Sequence, residues 1–406
     1  MNAEGKVPPV PNETPHRPEH LKMAQSLVAE TRAAGGLAPV DLDKFWEDQA
    51  VAGRDPFGKD IPQVAFGASL YGECVFDELG VDEDRWRYDH DEEWRLSLNK
   101  AYNDRSEEIV GKRLLPEKSG GRKEGWPAHK KLHDVFEAEN VWQAGSWWLK
   151  QSAANEEELK ALLDRVEGRN IREFMLPENW AEEKERLTKL GVRPPRYRSQ
   201  RGPTTFATSI YGSENLIFLI IDNPDLAARL RDNILRVMIE IATVLDEEAG
   251  DPSTAPHRWY FLDDNCALLN KEMYDFFSLP ILKGIFERFC PDPGDSRGQH
   301  SDSAMAQHLP SLGSLGITST NFGPTVEASE IRKHCPKAVI HGEMAPFTYS
   351  RNDEEGIVLE FLRDHEMTRE SRGLVFATAG SINNGTRLTS MRLAMAAIQR
   401  YGRFDG

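Results

Sequence analysis

The sequence is short of the features that mark several protein classes. Its four cysteines, Cys74, Cys266, Cys290 and Cys335, stand far apart and form no CxxC pair. Neither a disulfide framework nor a thiolate zinc ribbon is indicated. Apolar runs such as 216–221 stop far short of the ~20 residues that a membrane-spanning helix needs. Basic residues are in deficit: 50 Lys and Arg stand against 66 Asp and Glu, a formal charge of −16. A phosphate backbone attracts basic stripes, so no nucleic-acid partner is expected. The first twenty residues, MNAEGKVPPVPNETPHRPEH, lack the apolar stretch of a secretory signal, and the expected location is the cytoplasm. No GxGxxG or GxxxxGK(S/T) follows any strand candidate, so nothing suggests a nucleotide-phosphate cradle. No internal repeat is visible.

What is present suffices for a packed core. Of 406 residues, 39% are hydrophobic. At roughly 150 residues per domain, this length fits one large domain or two to three smaller ones. Five prolines (Pro8, Pro9, Pro11, Pro15 and Pro18) make the start an extended arm. The spacing of Leu21, Met23, Ala24, Leu27 and Val28 then predicts an amphipathic helix over 20–32. Residues 1–60 read as the arm with its helices, and 61–406 as the main domain. A short buried strand is expected at 63–69 (QVAFGAS). From 81 to 170 the text is charged and rich in tryptophan, with a Gly/Lys-rich interruption at 117–125. It reads as an elaboration of helices, a loop, one strand over 141–150 and a helix over 155–166 capped by Asn155.

The second half alternates apolar strands with helices. Strands are expected at 258–262 (RWYFL), ending at His300, at 317–321, at 338–341 (AVIH) and at 374–378 (LVFAT). Helices are expected at 271–289, 304–315, 326–334, 353–366 and 389–401. Five successive βα units imply a parallel sheet. With further strand candidates at 174–176 and 205–209, they favour a closed (β/α)8 TIM barrel, with the N-terminal extension and the elaboration added to it. An open doubly wound sheet is the alternative.

In such a barrel, chemistry sits at the C-terminal ends of the strands. Each strand here runs into polar residues there. The first leads to Asp263, Asp264 and Asn265, and the next to His300, Ser301 and Asp302. The later strands lead to Thr320 and Asn321, to His341 and Glu343, and to Ser381, Asn383 and Asn384. Helix caps also collect at loop boundaries, so Asp263 or Ser381 could be a cap. His300-x-Asp302 is the sharpest local feature, because positions i and i+2 of a strand face one side. Imidazole and carboxylate suit Zn²⁺ or a similar ion, with Glu343 or Asp264 as a third ligand. The same pair without metal is an acid–base couple, and Asp302 could also cap a helix near Ser303. The HKKLH run (His129 and His133) has Lys130 where a zinc-binding HExxH needs Glu, so a solvated helix face is expected. His308 is expected to be structural.

These strand ends, in this order, resemble the uroporphyrinogen decarboxylase superfamily. The carrying phrases are RGPTTFATSIYG at 201–212, FLDDNCALLNKEMYDFFSLPILKGIF at 261–286, HSDSAMAQHLPSLGSLGITSTNFGP at 300–324, HGEMAP at 341–346 and ATAGSINNGTRLTSMRLAMAAIQRYG at 377–402. The resemblance covers about half the chain and, more loosely, reaches back to Gln63. It implies a (β/α)8 barrel that is either a tetrapyrrole decarboxylase or a corrinoid-linked methyltransferase. The chain departs from both groups. It has no RQAGRY segment to clamp substrate carboxylates, its Gly380-Ser381 replaces the start of a Gly-His-Gly, and the tyrosine after the GxPxT segment falls at Ser209. Uroporphyrinogen is a poor substrate for a face with more acid than arginine. Thiol methyltransferases hold zinc with His-x-Cys and a later Gly-Cys. Those positions read His300-Ser301-Asp302 and Gly380-Ser381 here, so oxygen replaces both thiolates and makes a harder site.

The resemblance therefore implies an enzyme that removes a one-carbon group from a small organic substrate, aromatic compounds included. The preferred form is metal-assisted demethylation, with methyl passing to a corrinoid protein, since the chain shows no corrinoid-binding DxHxxG module. His300, Asp302 and Glu343 would hold the divalent metal, zinc being one choice. Asp264 would act with His300 and Asp302 in catalysis. Asn321, Ser209, Tyr211 and Ser381 would contact substrate. A cofactor-independent decarboxylase or lyase and a catalytically silent binding barrel are the alternatives. Pairing into a homodimer is implied by the resemblance alone.

Overall fold

In a computed structural model of the chain, residues 17–68, 70, 72–118, 125–143, 146–250 and 252–404 are described. Of the expected arm only residues 17–20 are described, and there the chain is already helical from Pro18, in the first helix Pro18–Ala33. Nine strands occur among the described residues: β1 Ala65–Phe66, β2 Asn140–Gln143, β3 Ser146–Leu149, β4 Ser199–Arg201, β5 Arg258–Leu262, β6 Ser296–Ser301, β7 Ser319–Phe322, β8 Val339–His341 and β9 Leu374–Phe376. The chain divides into two compact units. One comprises residues 1–119 and 319–406, the other 120–318. The charged, Trp-rich stretch spans that division.

In the first unit, β1, β9, β8 and β7 form a parallel ladder in that order, with Ala65 opposite Val375, Ile340 opposite Leu374 and Ser319 opposite Val339. Parallel strands need crossovers, and helices supply them here: Ala328–His334 between β7 and β8, and Glu354–Thr368 between β8 and β9. Phe361 of the latter packs edge-on to Phe376 of β9, with ring centroids 5.1 Å apart. The helix Pro18–Ala33 buries Ala24, Leu27, Val28 and Thr31, the stripe its spacing predicts. Its charged edge pairs with neighbours through Arg17–Glu366, Arg32–Glu354 and Arg400–Glu30. These exposed pairs add little stability each.

In the second unit, β4, β5 and β6 form a parallel ladder in which Arg201, Leu262 and His300 lie on one rung. Trp259 and Phe261 are buried on one face of β5, against the helix Lys271–Phe289. Trp259 stacks on Phe289 at 5.1 Å, and Phe261 meets Phe286 at 5.7 Å. That helix starts where Asn270 accepts a hydrogen bond from the Met273 N–H. By alternation, Arg258, Tyr260 and Leu262 take the other face.

The α/β class, the parallel ladders and the alternating βα order are as expected. Three elements differ. Residues 174–176 lie at the end of a helix, Ile171–Met175, and residues 205–209 lie within the helix Pro203–Tyr211. The β-branched run there imitates a strand, but Pro203 fixes helical φ in the first turn. The Trp-rich strand is an antiparallel pair, β2 with β3, in which Trp142 faces Trp147. The helix Glu156–Glu167 matches its forecast: the Asn155 side chain accepts from the Glu158 N–H at 3.0 Å, and the Glu158 carboxylate accepts from the Ala154 N–H at 2.8 Å. Replacing Asn155 with alanine is expected to cost about 1 kcal/mol, read as a lower urea midpoint with an unchanged slope.

Candidate active site

Two adjacent strand ends build the site. β5 stops at Leu262, and the chain turns at Asp263 into a short 3-10 helix beginning at Asp264. β6 carries His300 on the rung of Leu262, and Asp302 follows its end. The Asp302 N–H donates to Asp264 Oδ1 at 2.8 Å, which locks the two turns together. His300 Nε2 lies 3.5 Å from Asp264 Oδ1 and 3.5 Å from Asp302 Oδ1. One donor atom from each of the three residues lies within 4.8 Å of the others. His300 is largely covered, while both carboxylates face outward. Asp302 does not cap a helix, for the next helical turn starts only at Ala306.

These spacings fit a divalent cation. With ligand bonds near 2.1 Å, the edge of a tetrahedron is about 3.4 Å, close to the observed nitrogen–oxygen separations. The donors are one imidazole and two carboxylates, a hard set. Cys266 stays out of it: its buried thiol lies 3.8 Å from Ser301 Oγ, and burial raises its pKa, so it is a poor thiolate ligand.

The layer behind the cluster is built around Asp263. It is fully buried. Its N–H donates to the His300 carbonyl at 2.9 Å, and its Oδ1 accepts from the Thr205 N–H at 2.7 Å. It thus supplies the cap that the helix Pro203–Tyr211 lacks at Gly202. Burial pushes its carboxyl up to about 6, and hydrogen bonds from the threonines pull the other way. Gly202 makes this contact possible, since a Cβ there would sit 2.1 Å from Asp263 Cβ. Asn265 is tied to the same helix through Thr205 and Thr208. His308 is structural as expected: it is buried, stacks on Tyr274 at 4.0 Å, and Nε2 meets the Cys266 carbonyl at 2.9 Å.

Two residues not singled out in the sequence join this face. Arg201 shares the rung of Leu262 and His300 and is half-buried. Burial lowers the pKa of its guanidinium, against the pull of Asp264. Tyr260 lies one alternation further down β5; burial pushes its phenol to about 12, and Asp302 adds to the shift. The sequence signal for Arg201 was available, as a cation immediately before the Gly-Pro that ends β4.

Ser209 and Tyr211 lie on the helix that follows β4, and Asn321 and Ser381 lie in the first unit. Ser209 donates to the Thr205 carbonyl within its own helix, at 2.6 Å. Tyr211 is the last residue of that helix and is buried. The HKKLH run is not one helix face: His129 precedes the short helix Leu132–Val135 and sits edge-on to Trp180, and burial lowers the pKa of both His129 and His133. In the first unit, Asn321 binds strand ends together. Its amide donates to the His341 and Thr378 carbonyls at 2.6 and 3.1 Å, and its oxygen accepts from the Gly380 N–H at 3.0 Å. Ser381 comes next in the chain, exposed. Among the described residues, a second His/Asp group, His257 with Asp292 and Asp295, lies at the opposite strand ends and is mostly exposed.

Within the second unit, Asp264 supplies the third donor beside His300 and Asp302. Glu343 is enclosed in the first unit, where its N–H donates to Asp364 Oδ2 at 3.2 Å. Burial, reinforced by Asp364, raises its pKa well above the carboxylate range. Glu360 lies near the same group, which Arg363 joins by its ion pair with Asp364, and accepts from Ala345 N–H and Thr348 Oγ1, both at 2.6 Å. Burial pushes it to about 7. A carboxyl raised on folding binds more protons in the folded state, so stability is fullest below the unfolded pKa and falls as pH rises toward about 7. Glu360→Gln is expected to flatten that decline, which is on the order of 3 kcal/mol, in denaturant midpoints measured from pH 4.5 to 8.

The family model for uroporphyrinogen decarboxylase matches residues 188–401. Among solved structures, a methyltransferase from Methanosarcina mazei is similar in fold, with a TM-score of 0.50 and 15% identity over 86% of this chain and 96% of its own. No protein of curated function matches the sequence.

Proposed function

Since the chain belongs to the uroporphyrinogen decarboxylase family, we propose that it is an enzyme that removes a methyl group from a small organic substrate with the help of a divalent metal. The methyl group would pass to a separate corrinoid protein. The strands are proposed to close as the (β/α)8 barrel that the family resemblance implies. The observation that carries the reading is the convergence of Asp264, His300 and Asp302, with 3.5 Å between imidazole and carboxylates, at the ends of adjacent parallel strands.

His300, Asp302 and Asp264 would hold the metal, with Asp264 replacing Glu343 in the set expected from the sequence. Bound there, a divalent ion supplies Lewis acidity toward an ether or carboxylate oxygen. The chain's own residues do the rest. Asp263 fixes the backbone of His300 from behind, and the Asp302 N–H orients Asp264. Leu262, 40% exposed between Arg201 and His300, offers an apolar surface to the body of a substrate.

The second reading is a cofactor-independent decarboxylase. It is favoured by the two carboxylates flanking His300, which would stabilise an imidazolium able to deliver a proton to carbon. Incubation with a panel of aryl methyl ethers and carboxylic acids separates the two. Consumption of ether that requires added corrinoid protein supports demethylation. Carbon dioxide release without any acceptor supports the lyase and rejects demethylation.

A further inference from the structure

The guanidinium of Arg201 is not used by the proposed chemistry. Among the described residues, its side chain makes no hydrogen bond and no ion pair within 4.0 Å, and its backbone N–H alone is engaged, by Gln200 Oε1 at 2.8 Å. A half-buried arginine normally fills its five donors. Here they remain available on the rung that carries His300, two ladder steps away. Steps between strands are about 4.8 Å, so roughly 10 Å separates the backbones of the two residues. Leu262 lies between them with 40% of its surface exposed, the reverse of what a large aliphatic side chain ordinarily does. A cation, an apolar floor and a His/Asp cluster thus succeed one another along a single rung.

We propose that Arg201 is a specificity-determining residue that binds the carboxylate of the substrate, so that the enzyme takes a monoanionic organic acid whose apolar body rests on Leu262 and whose reacting end meets the His300 cluster. The choice of a single carboxylate rests on the metal-assisted reading above: Asp264 and Asp302 are engaged by the divalent cation, and Arg201 is the one guanidinium on this rung, with no ion pair within 4.0 Å. A guanidinium also matches a carboxylate with two parallel N–H donors, whereas lysine offers only a point charge. The geometry further explains why a substrate with many carboxylates does not suit this face, which has one free cation among the described residues of the rung.

The test is calorimetric titration of the protein as purified with benzoate and with benzamide, which share a ring and differ in charge. The wild-type protein is expected to bind benzoate at least tenfold more tightly. Arg201→Gln should abolish that preference while leaving benzamide affinity unchanged, and Arg201→Lys should restore part of it. Equal binding of the two probes by wild type, no binding of benzoate at millimolar concentration, or a preference retained in Arg201→Gln would overturn the proposal. If Arg201→Gln fails to fold, Arg201→Lys decides: a several-fold loss confined to benzoate supports the proposal, and an unchanged preference rejects it. Metal content measured on the same samples keeps the two claims apart. An Arg201-dependent preference in a protein devoid of metal would retain the carboxylate site and remove the metal-assisted reading. A loaded protein without the preference would do the converse.

Discussion

His300→Ala is expected to lose its divalent metal and its activity together, with the protein still folded. The imidazole is the only nitrogen donor in the cluster, and its removal leaves only the two carboxylates, Asp264 and Asp302. Loss of an outer partner of a metal ligand typically weakens affinity ten- to a hundredfold, so loss of a ligand itself is expected to exceed about a hundredfold. His300 is largely covered, but its side chain faces the cluster rather than the apolar layer that holds Trp259 and Phe261. The melting temperature of the metal-free form should therefore move little. Metal analysis after gel filtration, beside a thermal melt, checks both halves of the expectation. A variant that keeps stoichiometric metal removes His300 from the ligand set.

Gly202→Ala carries the largest expected effect on stability. The new Cβ would lie 2.1 Å from Asp263 Cβ, 2.3 Å from its Cγ and 2.7 Å from its Oδ1. Relief by a small local shift is closed off on both sides. The Gly202 N–H is held by the Leu262 carbonyl at 2.6 Å, and Asp263 is held by Thr205 and by the His300 carbonyl. Overpacking of this kind costs about 1–3 kcal/mol, and separating the buried Asp263 carboxyl from its donor adds about 1–3 kcal/mol. A loss of about 2–6 kcal/mol is expected in chemical denaturation. Activity should fall further than stability explains, because Asp263 sits directly behind His300. An alanine variant as stable as the wild type would mean that this close approach does not hold the turn.

The two variants probe parts of the site that differ in how they could be read from sequence. β5 and the helix after it were legible to the residue, because RWYFL is a short, strongly apolar run and the helix that follows spans Lys271–Phe289. His300 and Asp302 could be paired by strand alternation alone. The third member could not be chosen that way. Asp264 and Glu343 both lie just past strand ends, and the support for Asp264 comes from the register of β5 with β6 and from the Asp302 N–H bond to it. The run TTFATS misled because β-branched residues suit strands, while the decisive signal was the Gly-Pro before it. The bonds of the Asn321 amide to three backbone groups at neighbouring strand ends were not legible, because those partners lie far away in the chain. Arg201 was passed over because acidic residues dominated the strand ends. Its importance lies in what its guanidinium does not touch, which no sequence pattern reports.

The central claim is that Asp264, His300 and Asp302 together hold one divalent ion. X-ray absorption at the metal edge of the purified enzyme tests it most directly. The account expects one ion per chain in a shell of nitrogen and oxygen alone, with the ion lost in His300→Ala and the oxygen count reduced in whatever ion Asp264→Ala or Asp302→Ala retains. A shell containing sulfur, or full activity in a protein that binds no metal, would contradict it.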